Sequence, residues 1–358
     1  MIRLGIVGLG KMGLSHYAIA NSTPGAQVVA VCDSSTLLLG FIDRYGRVNT
    51  YTSMPEMLAA ERLDGVIIST PNHLHAEMVR TALAAGVAVF CEKPFTLSAH
   101  ESIDLTELAS ANGLVTQVGY HYRYVATFQE MKHLIEGGAL GKVTHAEAEA
   151  YGPVVVRPAN ATWRSKKSAG GGALYDYAPH PINLLTWLFG APKTAIGTVM
   201  TSVFSADTED EVLGTFQWPD SLSAHLSVSW SDTSERKMAT KVSLWGAEGK
   251  IVADRQEIRV FLRHAAETSR RAYSAGWTTL NIAELTPPVA YYLRGEEYSL
   301  QMEDFVARVR NRALDGVNDF RSAATTDEAI ELLTGANSGR QQEIEKVVAP
   351  RRRLWVRS

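Results

Sequence analysis

The 358-residue chain sets 35 Lys and Arg against 38 Asp and Glu, a formal net charge of -3, with 46% hydrophobic and 20% charged residues. That balance is ordinary for a globular protein, its length favours two domains, and it leaves no electrostatic footprint for nucleic acid or an anionic membrane. Two cysteines are too few for a disulfide framework, and no apolar run reaches membrane-spanning length.

The chain opens on a strand, Ile2–Val7, which leaves no room for a signal peptide; the compartment expected is the cytoplasm. Gly8-Leu9-Gly10-Lys11-Met12-Gly13 follows, then a helix to about Ala20. This G-x-G-x-x-G sits between strand and helix, the context a dinucleotide needs: Gly8 for the tight turn, Gly10 for close approach of a pyrophosphate, Gly13 for helix–strand packing. The second strand, Val28–Cys32, ends in Asp33, twenty residues past Gly13, where a carboxylate takes the hydroxyls of an adenine ribose. Asp33 can equally cap the helix expected over Ser34 to Tyr45. Its charge repels a 2′-phosphate and neither Ser34 nor Ser35 supplies a cation, so NAD is the predicted cofactor. Arg44 can fold back and blunt that preference, with NADP as the alternative.

Asp64–Thr70 is the next strand, and Pro71-Asn72-His73-Leu74-His75 follows it. His73 and His75 have metal-pair spacing only on a strand and lack a third ligand nearby, so no metal is expected. A helix to about Ala85 leads into Val87-Ala88-Val89-Phe90-Cys91, a buried strand that stops abruptly at Glu92-Lys93-Pro94. An acid and an ammonium are thereby fixed at the carboxyl end of a strand, the edge where open α/β sheets bind ligands. Lys93–Pro94 is the best candidate in the chain for a cis peptide. A helix over Ala99 to Asn112 and a further strand at Leu114–Val118 complete a doubly wound parallel sheet.

The pattern then changes. Tyr120-His121-Tyr122-Arg123-Tyr124 is an aromatic and basic cluster, and a helix over Ala126–Glu136 follows it. Alternating runs at Val143–Tyr151, Thr194–Phe204, Asp210–Trp218, Leu222–Trp230, Lys237–Gly246, Lys250–Asp254 and Glu257–Leu262 read as an antiparallel sheet. Helices near Tyr298–Leu314 and Thr326–Gln342 close the fold, and Arg351-Arg352-Arg353 reads as a solvated tail. Within this half Gly170-Gly171-Gly172 precedes a helical stretch from about Leu174. Asp176 and His180, four apart, then share a face, where a carboxylate raises an imidazole's basicity and fixes its tautomer. Such a pair suits removal of a proton from a substrate hydroxyl.

Gly8-x-Gly10-x-x-Gly13, Ser69-Thr70-Pro71-Asn72, Glu92-Lys93-Pro94 and Gly170-Gly171-Gly172 with Asp176-x-x-x-His180, in that order, resemble the glucose-fructose oxidoreductase / inositol dehydrogenase / MocA family over essentially the whole length. The resemblance implies a Rossmann domain, 1–121, binding NAD or NADP, and an open-sheet α+β domain, 122–358, for substrate and oligomerisation. It implies dimers or tetramers formed through the sheet's other face. It maps the catalytic roles onto Lys93, Asp176 and His180. Many members carry aspartate where this chain has Asn183. The cofactor set expected is Gly8, Gly10, Lys11, Met12, Gly13, Asp33, Ser34, Ser69, Thr70, Pro71, Asn72, His75, Glu92 and Lys93. The substrate set is Lys93, His121, Arg123, Trp163, Arg164, Asp176, His180 and Asn183.

Those residues, with Tyr122, mix donors, acceptors and flat aromatic surface, a lining suited to a ring with several hydroxyls. The expected activity is hydride transfer between nicotinamide and a hydroxyl-bearing carbon of a sugar or cyclitol. His180 takes the proton, Lys93 stabilises alkoxide character and Asp176 orients His180. The alternatives are a non-catalytic NAD-binding regulator of the same fold and a glycosidase that uses the nicotinamide transiently.

Overall fold

The computed structural model describes residues 1–45, 48–156 and 163–348; Arg351-Arg352-Arg353 lies outside them. Strands β1 (Ile2–Val7), β2 (Ala26–Cys32), β3 (Asn49–Tyr51), β4 (Gly65–Ile68), β5 (Ala88–Cys91) and β6 (Thr116–Val118) form one parallel sheet in the order β3-β2-β1-β4-β5-β6. Its central strands are apolar throughout: every residue of β4 and β5 is buried, as a sheet covered on both faces requires. The order reverses beside β1, and there the carboxyl ends of β1, β4 and β5 open a crevice. The three-residue β3 and the helix Met54–Ala60 are additions to the expected elements, too short for periodicity to mark.

The second sheet has eight strands: β7 (Val143–Tyr151), β8 (Thr194–Thr201), β9 (Glu211–Gln217), β10 (Ser223–Ser229), β11 (Ala239–Gly246), β12 (Gly249–Ala253), β13 (Glu257–Leu262) and β16 (Gly276–Asn281). Two-residue strands β14 (Ala266–Glu267) and β15 (Ala272–Tyr273) pair separately. The order is β16-β13-β12-β11-β7-β10-β9-β8, and only β7 and β10 run parallel. On β7 the inward residues are Ala146, Ala148 and Ala150, all buried. Their small side chains let the helix Pro179–Phe189 settle against the sheet, with Ile182, Leu184 and Leu185 in the same core.

Two elements join the halves. Helix Glu296–Asn311 returns to the first sheet, where Met302, Phe305 and Val306 share a core with Leu4, Ile6 and Phe90. Helix Phe320–Val348 puts Phe320 and Ala323 into the other core of the first domain and Ala329, Ile330 and Leu333 into the core of the second. Both late helices thus pack against the dinucleotide domain's cores.

Candidate active site

The glycine-rich loop is held shut by sterics. Gly8 has φ +87°, and a Cβ on Gly13 would fall 1.8 Å from the Gly8 carbonyl oxygen. Over Gly10 a Cβ would meet nothing within 4 Å, so the loop's outer side is open space into which helix Lys11–Ser22 points its amino end. Backbone N–H groups around an open cradle, with no acid in the helix's first turn, fit the diphosphate of a dinucleotide. Asp33 turns both carboxylate oxygens to backbone N–H groups: its Oδ2 accepts from Leu9 N–H of the loop at 2.6 Å and its Oδ1 from Ser35 N–H at 2.7 Å. The helix start at Thr36 is capped by Ser35, whose Oγ accepts from Leu38 N–H. Ser34 beside it is exposed.

Several residues expected to face a cofactor are committed to the protein instead. Ser69 Oγ donates to the Gly8 carbonyl at 2.8 Å, pinning the loop from β4. Thr70 Oγ1 donates to Met78 Sδ at 3.4 Å, and Pro71 precedes the short turn Asn72–Leu74. Asn72 is buried and its Nδ2 donates to the Gly170 carbonyl at 3.0 Å, a tie to the other domain. His75 is fully buried, 2.8 Å from the Pro94 carbonyl and 3.0 Å from that of Thr70, a strut between two loops rather than a wall of the crevice. Its position on a strand's carboxyl end looked the same in sequence.

At the end of β5, Glu92 Oε1 lies 2.7 Å from Nε2 of His16, a buried residue of the first helix. Burial pushes the Glu92 carboxyl up, but the His16 hydrogen bond and charge, with Lys93 and His121, bring it below the ordinary value. The Lys93–Pro94 bond is cis, as expected. Lys93 Nζ donates to the Asp176 carbonyl at 2.7 Å and to Asp176 Oδ1 at 3.1 Å. Arg164 Nε donates to Asp176 Oδ2 at 2.8 Å, and its guanidinium stacks 4.8 Å from the ring centroid of Trp163. Burial would raise the Asp176 carboxyl, but Lys93 and Arg164 outweigh it, so its pKa is lowered and it stays ionised.

The expected Asp176–His180 pair does not form. The helix Ala173–Asp176 ends, and a new one starts at Pro179; prolines at 179 and 181 supply no N–H to continue the first. Asp176 is spent on two cations, and Nδ1 of His180 is buried without a protein partner. Burial, then the charges of Lys93 and His121, lower the His180 pKa well below its usual value, the reverse of the basicity a neighbouring carboxylate would confer. His180 lies instead in an aromatic cage, edge-on to His121 and Tyr122 at 5.2 Å each. His121 stacks on Tyr298 at 4.7 Å, and burial above all pushes its pKa down to about 3.

Arg123 and Asn183, expected to touch substrate, form a buried lock behind this cage. Arg123 Nε donates to Asn183 Oδ1 at 2.7 Å and Nη2 to the Asn183 carbonyl at 3.0 Å, while Nη1 reaches the Val317 carbonyl at 2.7 Å and also Ser322. Asn183 Nδ2 donates to Thr326 Oγ1 at 3.0 Å. Two residues of the site were absent from the expected set. His16, beside Glu92, pairs with a partner 76 positions away, and Tyr298 of the cage reaches His121 across nearly half the chain; no local pattern could announce either.

Residues 2–120 match the family described as "Oxidoreductase family, NAD-binding Rossmann fold", and residues 128–252 match the "GFO/IDH/MocA C-terminal domain". The chain belongs to the GFO/IDH/MocA oxidoreductases. It is 30% identical over 193 residues to rhizopine catabolism protein MocA of Rhizobium meliloti, covering 54% of this chain and 58% of that one. Inositol 2-dehydrogenase 3 of Saccharopolyspora erythraea is 31% identical over 52% of this chain and 53% of its own, so these matches span little more than half of either relative. The NAD(+)-dependent scyllo-inositol 2-dehydrogenase of Bacillus subtilis matches at 25% identity over 96% of both chains. A levoglucosan dehydrogenase solved with NADH and levoglucosan has a TM-score of 0.82 at 22% identity, covering 94% of this chain and 97% of that one, which shows the GFO/IDH/MocA fold. Among the described residues no helix is long and apolar enough to cross a membrane.

Proposed function

We propose that this GFO/IDH/MocA oxidoreductase transfers hydride between nicotinamide and a secondary or anomeric carbon of a cyclic polyol, a sugar, sugar derivative or inositol, with NAD preferred over NADP. The observation that carries the reading is the convergence of Lys93, held by Asp176, and the unpartnered His180 in one aromatic cage at the switch point of the dinucleotide sheet. The relatives named as inositol dehydrogenases support a polyol. When bound, the nicotinamide supplies the hydride acceptor or donor.

The chain's residues supply the rest. Gly8, Gly10, Lys11, Met12, Gly13 and Asp33 would hold the dinucleotide, with Glu92 and Lys93 at the same edge of the sheet. His180, kept neutral by burial, takes the hydroxyl proton as the carbon–hydrogen pair departs, and returns it when a ketone is reduced. Lys93 donates to the reacting oxygen, where negative charge develops. Asp176 positions Lys93 and Arg164 rather than His180. Trp163, Arg164, His121 and Tyr122 frame the ring.

The test is formation of NADH with a panel of cyclitols, aldoses and glycosides, set beside aromatic dihydrodiols and non-sugar aldehydes, with NAD and NADP compared by kcat/KM. Turnover of polyols with NAD is expected. Reaction of the non-sugars alone would overturn the substrate class, and equal use of NADP would overturn the cofactor preference.

A further inference from the structure

The segment between β16 and helix Glu296–Asn311 crosses back over the first helix of the dinucleotide domain. Tyr291 Oη lies 2.8 Å from Thr23 Oγ1, and further along Arg294 Nη1 donates to Ser15 Oγ at 3.2 Å. Arg294 is exposed and holds φ +68°, with Gly295 after it at φ +142°. A non-glycine residue kept in that region stores strain, a mark more often of function than of packing. The guanidinium also lies 5.2 Å from the ring centroid of Tyr298, the residue that stacks on His121. One cation thus spans the crevice, with the dinucleotide helix on one side and the substrate cage on the other.

Its place on the helix narrows the ligand. Ser15 Oγ donates to the Lys11 carbonyl at 2.8 Å, and Ser15 stands about 6 Å along the axis from Lys11. Arg294 therefore stands over the opening turns of the helix whose amino end follows the open cradle at Gly10. The nearby carboxylates are already paired: Glu297 with Arg255, and Glu92 with His16. Among the described residues Arg294 forms no ion pair with a carboxylate, so its charge is available to an incoming anion.

We propose that Arg294 is a clamp on the diphosphate of the bound dinucleotide, delivered across the domain boundary by the returning segment. The proposal rests on the dinucleotide-binding role of the first domain. The helix and loop offer only neutral N–H donors and exposed Lys11, whereas a guanidinium forks onto two phosphate oxygens and adds charge. The same chemistry would suit a carboxylate on a sugar. The contact with Ser15, on the cofactor side of the crevice, favours the diphosphate.

The experiment is calorimetric titration of the full chain and its Arg294→Gln and Arg294→Lys variants with NADH and with ADP-ribose, which keeps the diphosphate but lacks nicotinamide. Arg294→Gln should weaken both by about tenfold or more, with the gap narrowing as salt rises, while the ligand-free Tm is unchanged. Arg294→Lys should recover part of the loss. Unchanged affinity for both ligands would overturn the clamp, as would a loss for NADH alone, which places Arg294 at the nicotinamide. A rise confined to KM for acidic sugars would assign it to substrate instead. If the unsubstituted protein binds neither ligand, the dinucleotide reading falls and takes the clamp with it.

Discussion

Each of the two central side chains has one environment that defines its work. Lys93→Ala and His180→Ala should leave NADH binding intact and lower turnover by about 10²–10⁴-fold, the usual worth of an acid–base or electrostatic group. Near-normal turnover in either variant removes that residue from the chemistry. Behind them, Arg123 is buried against amide and carbonyl oxygens with no carboxylate in direct contact, and burial lowers its pKa to about 9. Asn183→Asp would give that guanidinium a charged acceptor at Nε while Thr326 turns its hydroxyl to donate to the other oxygen. The expected outcome is a stabilisation of about 1–3 kcal/mol, read as a higher urea midpoint at neutral pH. A lower midpoint would mean that the site is shaped for the amide and cannot take the charge.

Helix Phe320–Val348 carries the molecule's oddest carboxylate. Asp327 Oδ2 accepts from Ser102 Oγ at 2.5 Å and Thr96 N–H at 3.2 Å, but Oδ1 is buried without a partner. Burial raises its pKa to about 8, opposed by those two hydrogen bonds and reinforced by Glu331 and Glu328. Folding therefore holds a proton that the unfolded chain releases above the usual 3.8 or so. That contribution is fully present below about pH 4 and is lost as pH rises toward 8. Asp327→Asn keeps both acceptor contacts and cannot titrate. Its Tm advantage over the native chain should grow from pH 4 to pH 8, by about 2–4 °C for each kcal/mol recovered; a constant difference would show that Asp327 is already ionised. This helix was legible in sequence from its apolar period, as were most strands, because burial on one or both faces writes itself every second or fourth residue. The break between Asp176 and Pro179 was missed, although Pro179 and Pro181 carry its signal, and the sharing of Asp176 by Lys93 and Arg164 was not legible at all. Partners 83 and 12 positions away leave no local signature, and a nearer histidine looked the better match.

At the scale of the whole molecule, the second sheet has a bare side. Ile196, Leu213 and Trp277 are 47%, 36% and 55% exposed on it, flanking a polar middle with the Lys241–Glu149 pair. The family resemblance implies self-association through this face, and substitution on it tests that expectation. Ile196→Lys with Leu213→Lys should convert a dimer or tetramer to a lighter species in sedimentation without loss of NADH binding; an unchanged mass excludes the face. The motifs that placed cofactor and catalysis lie in short runs that a sequence displays. The ties between halves, Asn72 to Gly170 and Lys93 to Asp176, join segments that only the finished fold brings together.

The return of helix Glu296–Asn311 to the first sheet has a consequence for biosynthesis. Phe305 packs edge-on against Phe90 at 5.7 Å and lies within van der Waals reach of Gly65, closing one face of that sheet. Translation delivers β6 by residue 118, but the helix that seals its sheet emerges only after residue 311. At about 5–20 residues per second the interval is roughly 10–40 s. Throughout it the nascent nucleotide domain lacks Met302, Phe305 and Val306 from its core, and that core closes only once the returning helix has been made.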